Sequence, residues 1–274
     1  MSLVAFIIPV RHQANARNWS LIKANLGQTL ASISNQTHDD WRGIIVANEG
    51  ADLPDLPPRF SVERVSFPPN ELHERNQAGN VQDFWDAIRA DKGCRVLSGM
   101  LRARDSHFFM VVDDDDFVSA RIVQYVAEHR DANGWIITRG YLWDHGGKLL
   151  LQHDDFNHVC GTSLIVRSAL YGLPERFEQA SLDWIKSMAG SHHFVDRILA
   201  DRGTPLAPLP FRGAVYRVGH AGSYTQTSSL LHRNFLHWRV IKEPRRLFRN
   251  LGKLRLVGDA TRREFFGGSR CLTA

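Results

Sequence analysis

The sequence predicts an α/β protein with a mostly parallel central sheet covered by helices. Three observations carry this. Short apolar runs alternate with helix-period segments through the first 116 residues. Each run is apolar at successive positions, as in strands buried on both faces. The runs close on polar segments: Pro9-Val10-Arg11-His12, Asn48-Glu49-Gly50 and Asp113-Asp114-Asp115-Asp116. In open sheets a ligand lies beyond the carboxyl ends of the strands, so these segments are expected to meet at one edge.

Leu3 to Pro9 is the first strand. A helix follows from Asn18 to about Ser34, with Trp19, Ile22, Leu26, Leu30 and Ile33 spaced by three and four. Asn35-Gln36-Thr37 breaks it. Arg42 to Asn48 is a second strand. Pro54 to Pro69 contains five of the eleven prolines and one short strand, Ser61 to Ser66. Two helices are expected over 81–89 and 93–103, and His107 to Val112 is a third long strand. Further on, Trp135 to Leu142 and Lys148 to Gln152 form an expected hairpin around Asp144-His145-Gly146-Gly147. Thr162 to Arg167 is a strand, and a helix begins near Ser191, with Ser191 as its N-cap and Phe194, Ile198 and Leu199 facing the core. A proline-rich segment, Thr204 to Phe211, precedes a last strand, Ala214 to Val218. No internal repeat interrupts this pattern.

With 43% hydrophobic and 23% charged residues in 274, the chain is neither disordered, collagen-like nor a coiled coil. No apolar stretch approaches the length of a membrane span. Leu3 to Val10 is short, lacks a preceding basic residue and runs into Arg11, so it reads as a strand and not as a signal peptide. The formal charge of +5 is uneven. Residues 237–274 carry ten basic and three acidic side chains, which leaves residues 1–236 at −2. That distribution argues against a nucleic-acid binder. The basic tail, with Trp238, Leu247, Phe248, Leu251 and Leu254, reads either as a peripheral contact with an anionic membrane or as helices packed on the body. Cys94, Cys160 and Cys271 form no paired motif, which fits a reducing cytoplasm.

Four aspartates after a buried strand call for a counter-charge, because like charges raise each other's pKa. Carboxylates suit Mg²⁺ or Mn²⁺, which commonly bridge phosphate oxygens. The expectation is a divalent metal site that holds a diphosphate.

At this point the chain resembles the nucleotide-sugar glycosyltransferases of the GT-A fold, in particular family 2, over residues 4–225. The resemblance rests on Phe6 to Arg11, Thr29 to Thr37, the strand Trp41 to Asn48, Phe109 to Asp116 as an Asp-x-Asp motif, and Gly161 to Leu170 as the acceptor-side strand. It implies a Rossmann-like domain over 1–236, with a nucleotide-sugar half (1–116) and an acceptor half (117–236), followed by a basic helical tail over 237–274. Pro9, Val10 and Arg11 fall where the family lines the nucleobase pocket, and Glu49 near an acidic position facing the base. Arg95 falls near the donor phosphates. Asp113 would contact the ribose or help hold the metal, Asp114 would belong to the donor site, and Asp115 would bind the metal directly. His220, between Gly219 and Ala221, corresponds to a late histidine that related enzymes give to the metal or diphosphate.

The chain departs from the family at Ser191-His192-His193-Phe194-Val195-Asp196, where a Glu-Asp pair and its general base are usual. Asp196, His192 and His193 are the candidate bases, with Asp183 next. A zinc site is disfavoured, since adjacent residues diverge on a helix and no third ligand is obvious. The implied function is metal-dependent transfer of a sugar from a nucleoside-diphosphate donor, UDP foremost, to an acceptor hydroxyl on a carbohydrate or lipid-linked glycan. An inverting course is favoured, and the cytoplasm, at the inner membrane face if the tail docks there, is the expected location. The alternatives are a non-catalytic sugar-nucleotide binding protein and a nucleotidyltransferase. The latter predicts a glycine-rich first loop, which Pro9 to Gln13 is not.

Overall fold

In the computed structural model, which describes residues 1–74, 79–219, 248 and 250–268, the opening apolar run forms β1 (Val4–Pro9), buried throughout. α1 (Trp19–Ser34) begins where the Asn18 side chain accepts from the Leu21 N–H, satisfying one of the helix's orphan donors. β2 (Trp41–Asn48), β3 (Phe60–Val65), α2 (Val81–Arg102) and β4 (Phe108–Val111) follow. The two helices expected over 81–89 and 93–103 are one. Gly93 does not break α2 but lets it pack closely. A Cβ there would come within 2.5 Å of the Ile185 carbonyl oxygen.

The second half contributes β5 (Phe117–Val118), α3 (Ile122–Glu128), β6 (Gly134–Ile136), β7 (Gly140–Asp144), β8 (Leu149–His153) and β9 (Leu164–Arg167). Then come α4 (Leu182–Trp184), continued by a wider π turn over Ile185–Ala189, α5 (His192–Asp201), β10 (Ala207–Pro208) and β11 (Ala214–Val218). β12 (Leu254–Leu256) and α6 (Asp259–Phe265) complete the described chain.

The large sheet has the order β10-β6-β9-β4-β1-β2-β3. Its pairings are parallel except those of β9, which runs antiparallel to both β4 and β6. The fold is therefore α/β, with a mixed, largely parallel sheet. Alternation along β1 divides the core. Phe6 and Ile8 pack with Leu26 and Leu30 of α1, while Ile7 packs with Val96 and Met100 of α2 on the other face.

A second sheet, β12-β8-β7-β11-β5, was not foreseen from the sequence. The expected strand over 135–142 is split between the two sheets. The chain leaves the large one after Ile137, whose N–H still donates to the Ser163 carbonyl, and enters the small one at Gly140. The β7–β8 hairpin then turns at the expected residues, closed by the Gly147 N–H on the Asp144 carbonyl.

The helix expected from Ser191 is α5, with two differences. Ser191 occupies the N-cap position but its side chain makes no capping bond. Phe194 is 40% exposed, and Val195 takes the core position with Leu199. Arg89 lies over the Phe194 ring at 5.1 Å.

Part of the chain beyond residue 236 lies against the body. β12 pairs antiparallel with β8, and Phe266 meets Phe117 edge-on at 4.6 Å. Glu264 accepts from Ser119 Oγ and Arg121 Nε. Phe265 is buried in the same cluster as Trp143 and Val215. Phe265→Ala is expected to lower unfolding stability by about 3–5 kcal/mol, measured by urea denaturation. An unchanged midpoint would mean that α6 is not part of the cooperative fold. Among the described residues no helix is long and apolar enough to cross a membrane. His220, Trp238, Leu247 and Cys271 lie outside the described residues.

Candidate functional site

The carboxyl ends of β1 and β4 open on a cavity of about 470 Å³. Pro9, Arg11, Lys92, Arg95, Asp113, Asp114 and Asp115 line it. So do His158, Gly161, Ser191, His192 and His193, and Trp85 and Ile88 supply apolar wall. Three of the expected donor-side segments thus contribute unequally. Val10 is fully buried in the core behind the cavity. Glu49 is exposed and does not line it; only its backbone is engaged, accepting from Gln13 Nε2. Asn48, one residue earlier, is the β2 residue that reaches inward, accepting from Arg95 Nη1 at 2.6 Å.

The aspartate run is sorted by its tether to the turn that precedes β9. Thr162 Oγ1 accepts from the Asp113 N–H and donates to Asp116 Oδ2 at 2.6 Å. Asp116 is wholly buried and also accepts from Cys160 Sγ. Burial foremost, then the charges of Asp115 and Asp113, push its pKa well above the usual carboxylate range, against the donors Thr162 and Cys160. Asp113, Asp114 and Asp115 are left to the cavity. Among the described residues no group of three or more His, Cys, Asp or Glu side chains is arranged to hold a metal ion. Mg²⁺ usually keeps several waters and takes one or two carboxylates plus substrate phosphates, and Asp113 and Asp115 fit that donor set.

Sequence reasoning missed two cations here. Lys92, on α2, donates to Asp113 Oδ1 at 2.5 Å. Arg217, on β11, is fully buried behind the run. Its Nε donates to the Asp115 carbonyl, its Nη1 to Asn25 and to His145 Nδ1, and its guanidinium lies over Phe117 at 4.7 Å. Burial lowers the Arg217 pKa to about 10, against the pull of Asp115, Asp116 and Asp114. A charged residue inside Ala-Val-Tyr-Arg-Val was the available signal. Arg95, expected near the donor phosphates, is 1% exposed and clamped by Asp91 through Nε and Nη2.

The two histidines do not diverge: their rings lie 3.9 Å apart, and His158 stacks on His193 at 5.9 Å. Asp196 does not line the cavity and sits behind this cluster, close enough to feel His158 and His193. Burial raises the pKa of Asp196. Asp183 is exposed and lies outside the cavity.

His192 Nε2 lies 2.9 Å from the Asn157 carbonyl, so Nε2 carries the proton and Nδ1 the lone pair. Burial, then His193 and Lys92, lower its pKa to about 3 from an ordinary 6.5. The unfolded chain therefore binds more protons than the folded one between these values, and stability is lost as pH falls below 6.5. His192→Gln, which keeps a donor for Asn157, is expected to shrink the difference between urea midpoints at pH 7 and pH 4.5. A difference as large as that of the unaltered protein would show that His192 does not set the acid limit.

No protein-family model matches the sequence, and no curated protein matches it significantly. Solved structures do resemble it. The S. aureus TarS 1–349 structure in complex with UDP-GlcNAc aligns with a TM-score of 0.46 and 12% identity, over 92% of this chain and 72% of that one. A second TarS 1–349 structure aligns with a TM-score of 0.41 and 13% identity, over 79% and 60%. Rv0371C from Mycobacterium tuberculosis H37Rv, solved with manganese, aligns with a TM-score of 0.35 and 10% identity, over 78% and 90%. The chain thus spans 60% of one TarS 1–349 structure and covers 37% of another TarS chain.

Proposed function

We propose that the protein transfers a sugar from a nucleoside-diphosphate donor, UDP-linked foremost, to a hydroxyl of a carbohydrate or lipid-linked acceptor. The observation that carries this is the meeting of Asp113 and Asp115 with Lys92 and Arg95 at the carboxyl edge of the sheet, facing a cavity large enough for a nucleotide sugar. Asp115, with Asp113, is the place for Mn²⁺ or Mg²⁺, which when bound stabilises negative charge on the leaving diphosphate. Pro9 and Arg11 lie on the nucleoside side of the cavity, and Trp85 and Ile88 keep part of it dry.

The acceptor side is the histidine wall. His193 is the preferred base: it lines the cavity, burial keeps it neutral below its ordinary pKa, and Asp196 lies behind it. His192 is the second choice, since a pKa near 3 makes it a weaker base. Asp196, set back from the cavity, is assigned to orienting this cluster. Direct displacement with inversion requires only one such base.

A donor screen tests the reading. Purified protein is incubated with UDP-GlcNAc, UDP-Glc, UDP-Gal and GDP-Man in Mn²⁺, and release of the nucleoside diphosphate is followed. Slow metal-stimulated hydrolysis of one donor is the expected result. Binding of UDP without hydrolysis or transfer would favour the non-catalytic binding protein instead.

A further inference from the structure

The cavity wall carries four carboxylates, Asp91, Asp113, Asp114 and Asp115, and four cationic side chains, Arg11, Arg89, Lys92 and Arg95. These formal charges balance. A diphosphate is then attracted only if a cation is added or one already present is turned toward it.

The cations are not equally able to turn. Arg95 is held by both Asp91 and Asn48 and is 1% exposed. Arg89 is bonded to Asp86 and lies over Phe194. Lys92 ends a flexible four-carbon stem and reaches Asp113 as a point charge, with both side chains a little over a quarter exposed. Gly161 makes room for the pair. A Cβ there would come within 2.8 Å of Asp113 Oδ2 and 2.9 Å of Lys92 Nζ.

Resting on the nucleotide-sugar reading of this cavity, we propose that Lys92 is a resident cation of the donor site. It neutralises Asp113 in the free protein and turns its ammonium to the diphosphate of the bound nucleotide, so that nucleotide binding survives removal of divalent metal. Lys92 and a divalent ion then compete for Asp113. One charge-assisted contact to phosphate is worth roughly ten- to a hundredfold in affinity.

The test is calorimetry of UDP, GDP and CDP binding to the full chain, in EDTA and in Mn²⁺, with Lys92→Met and Lys92→Arg alongside. The unaltered protein is expected to bind UDP in EDTA. Lys92→Met is expected to lose roughly ten- to a hundredfold in EDTA, to lose markedly less in Mn²⁺, and to bind Mn²⁺ alone more tightly because its competitor is gone. Lys92→Arg keeps the charge and should retain UDP binding in EDTA, which holds the test if the methionine variant does not fold. UDP binding that is strictly Mn²⁺-dependent in the unaltered protein overturns the proposal. So does a Lys92→Met loss of equal size in both buffers, the mark of a merely structural role. If none of the three nucleotides binds the unaltered protein in either buffer, the nucleotide-sugar reading falls as well, which separates the two failures.

Discussion

Asp115→Ala is expected to abolish the tightening of UDP binding by Mn²⁺ and to lower sugar-transfer turnover by about 10²–10³-fold. The aspartate lines the cavity at the end of β4, and its backbone carbonyl is fixed by Arg217, so the carboxylate is presented from a rigid support. A metal ion at a leaving diphosphate is worth several kcal/mol of transition-state charge, and each 1.4 kcal/mol is tenfold in rate. Calorimetry with and without Mn²⁺, paired with a turnover assay, checks this. An unchanged metal effect on UDP affinity would sink the assignment of the aspartate run.

The second large effect is expected at the histidine wall. An acceptor hydroxyl must lose its proton during attack, and a positioned base contributes about 10²–10⁴-fold. His193→Ala is expected to lower turnover by that factor with UDP affinity nearly unchanged, since the base works on the acceptor side. The acid limb of the pH profile should vanish with it. Burial, His158 and Arg89 lower the His193 pKa, so that limb lies below pH 6.5, where protonation disables the base. Asp196→Asn should give a smaller loss and move the limb, because Asp196 acts on the base and not on the acceptor. His192→Ala completes the series. If all three variants keep normal turnover, the base is elsewhere. If UDP affinity falls together with turnover, α5 belongs to the donor site.

The strands of the large sheet were legible because burial on both faces writes itself as uninterrupted apolar runs: Phe6-Ile7-Ile8, Ile44-Ile45-Val46 and Phe108-Phe109-Met110. The convergence of Pro9, Arg11 and the aspartates on one cavity followed from that topology. What escaped was set by tertiary contact. Gly93 reads locally as a helix breaker and serves as a packing site. Residues 135–142 read as one strand and divide between two sheets. The aspartates look alike in sequence, and Thr162, from the turn before β9 about fifty residues away, separates buried Asp116 from Asp113 at the cavity. Lys92 carried no local mark at all. It sits on a helix whose neighbours are mostly polar, and its partner is 21 residues away. Glu49 and Val10 illustrate the opposite error, in which a position near the right loop turns its side chain the wrong way.

The small sheet also shapes how the chain must be made. β8 ends at His153, and the strand that covers its edge, β12, begins at Leu254, about a hundred residues later. A ribosome adding roughly 5–20 residues per second leaves that edge bare for seconds, with its N–H and C=O groups open to any extended segment nearby. Over the same interval Phe117 and Trp143 lack the cover of Phe265 and Phe266. The nascent chain is thus stickiest until residues 254–266 have emerged, and a product truncated before them would carry the exposed edge permanently. Aggregation during expression should accordingly track the integrity of residues 254–266 far more closely than any change at the aspartate-lined cavity.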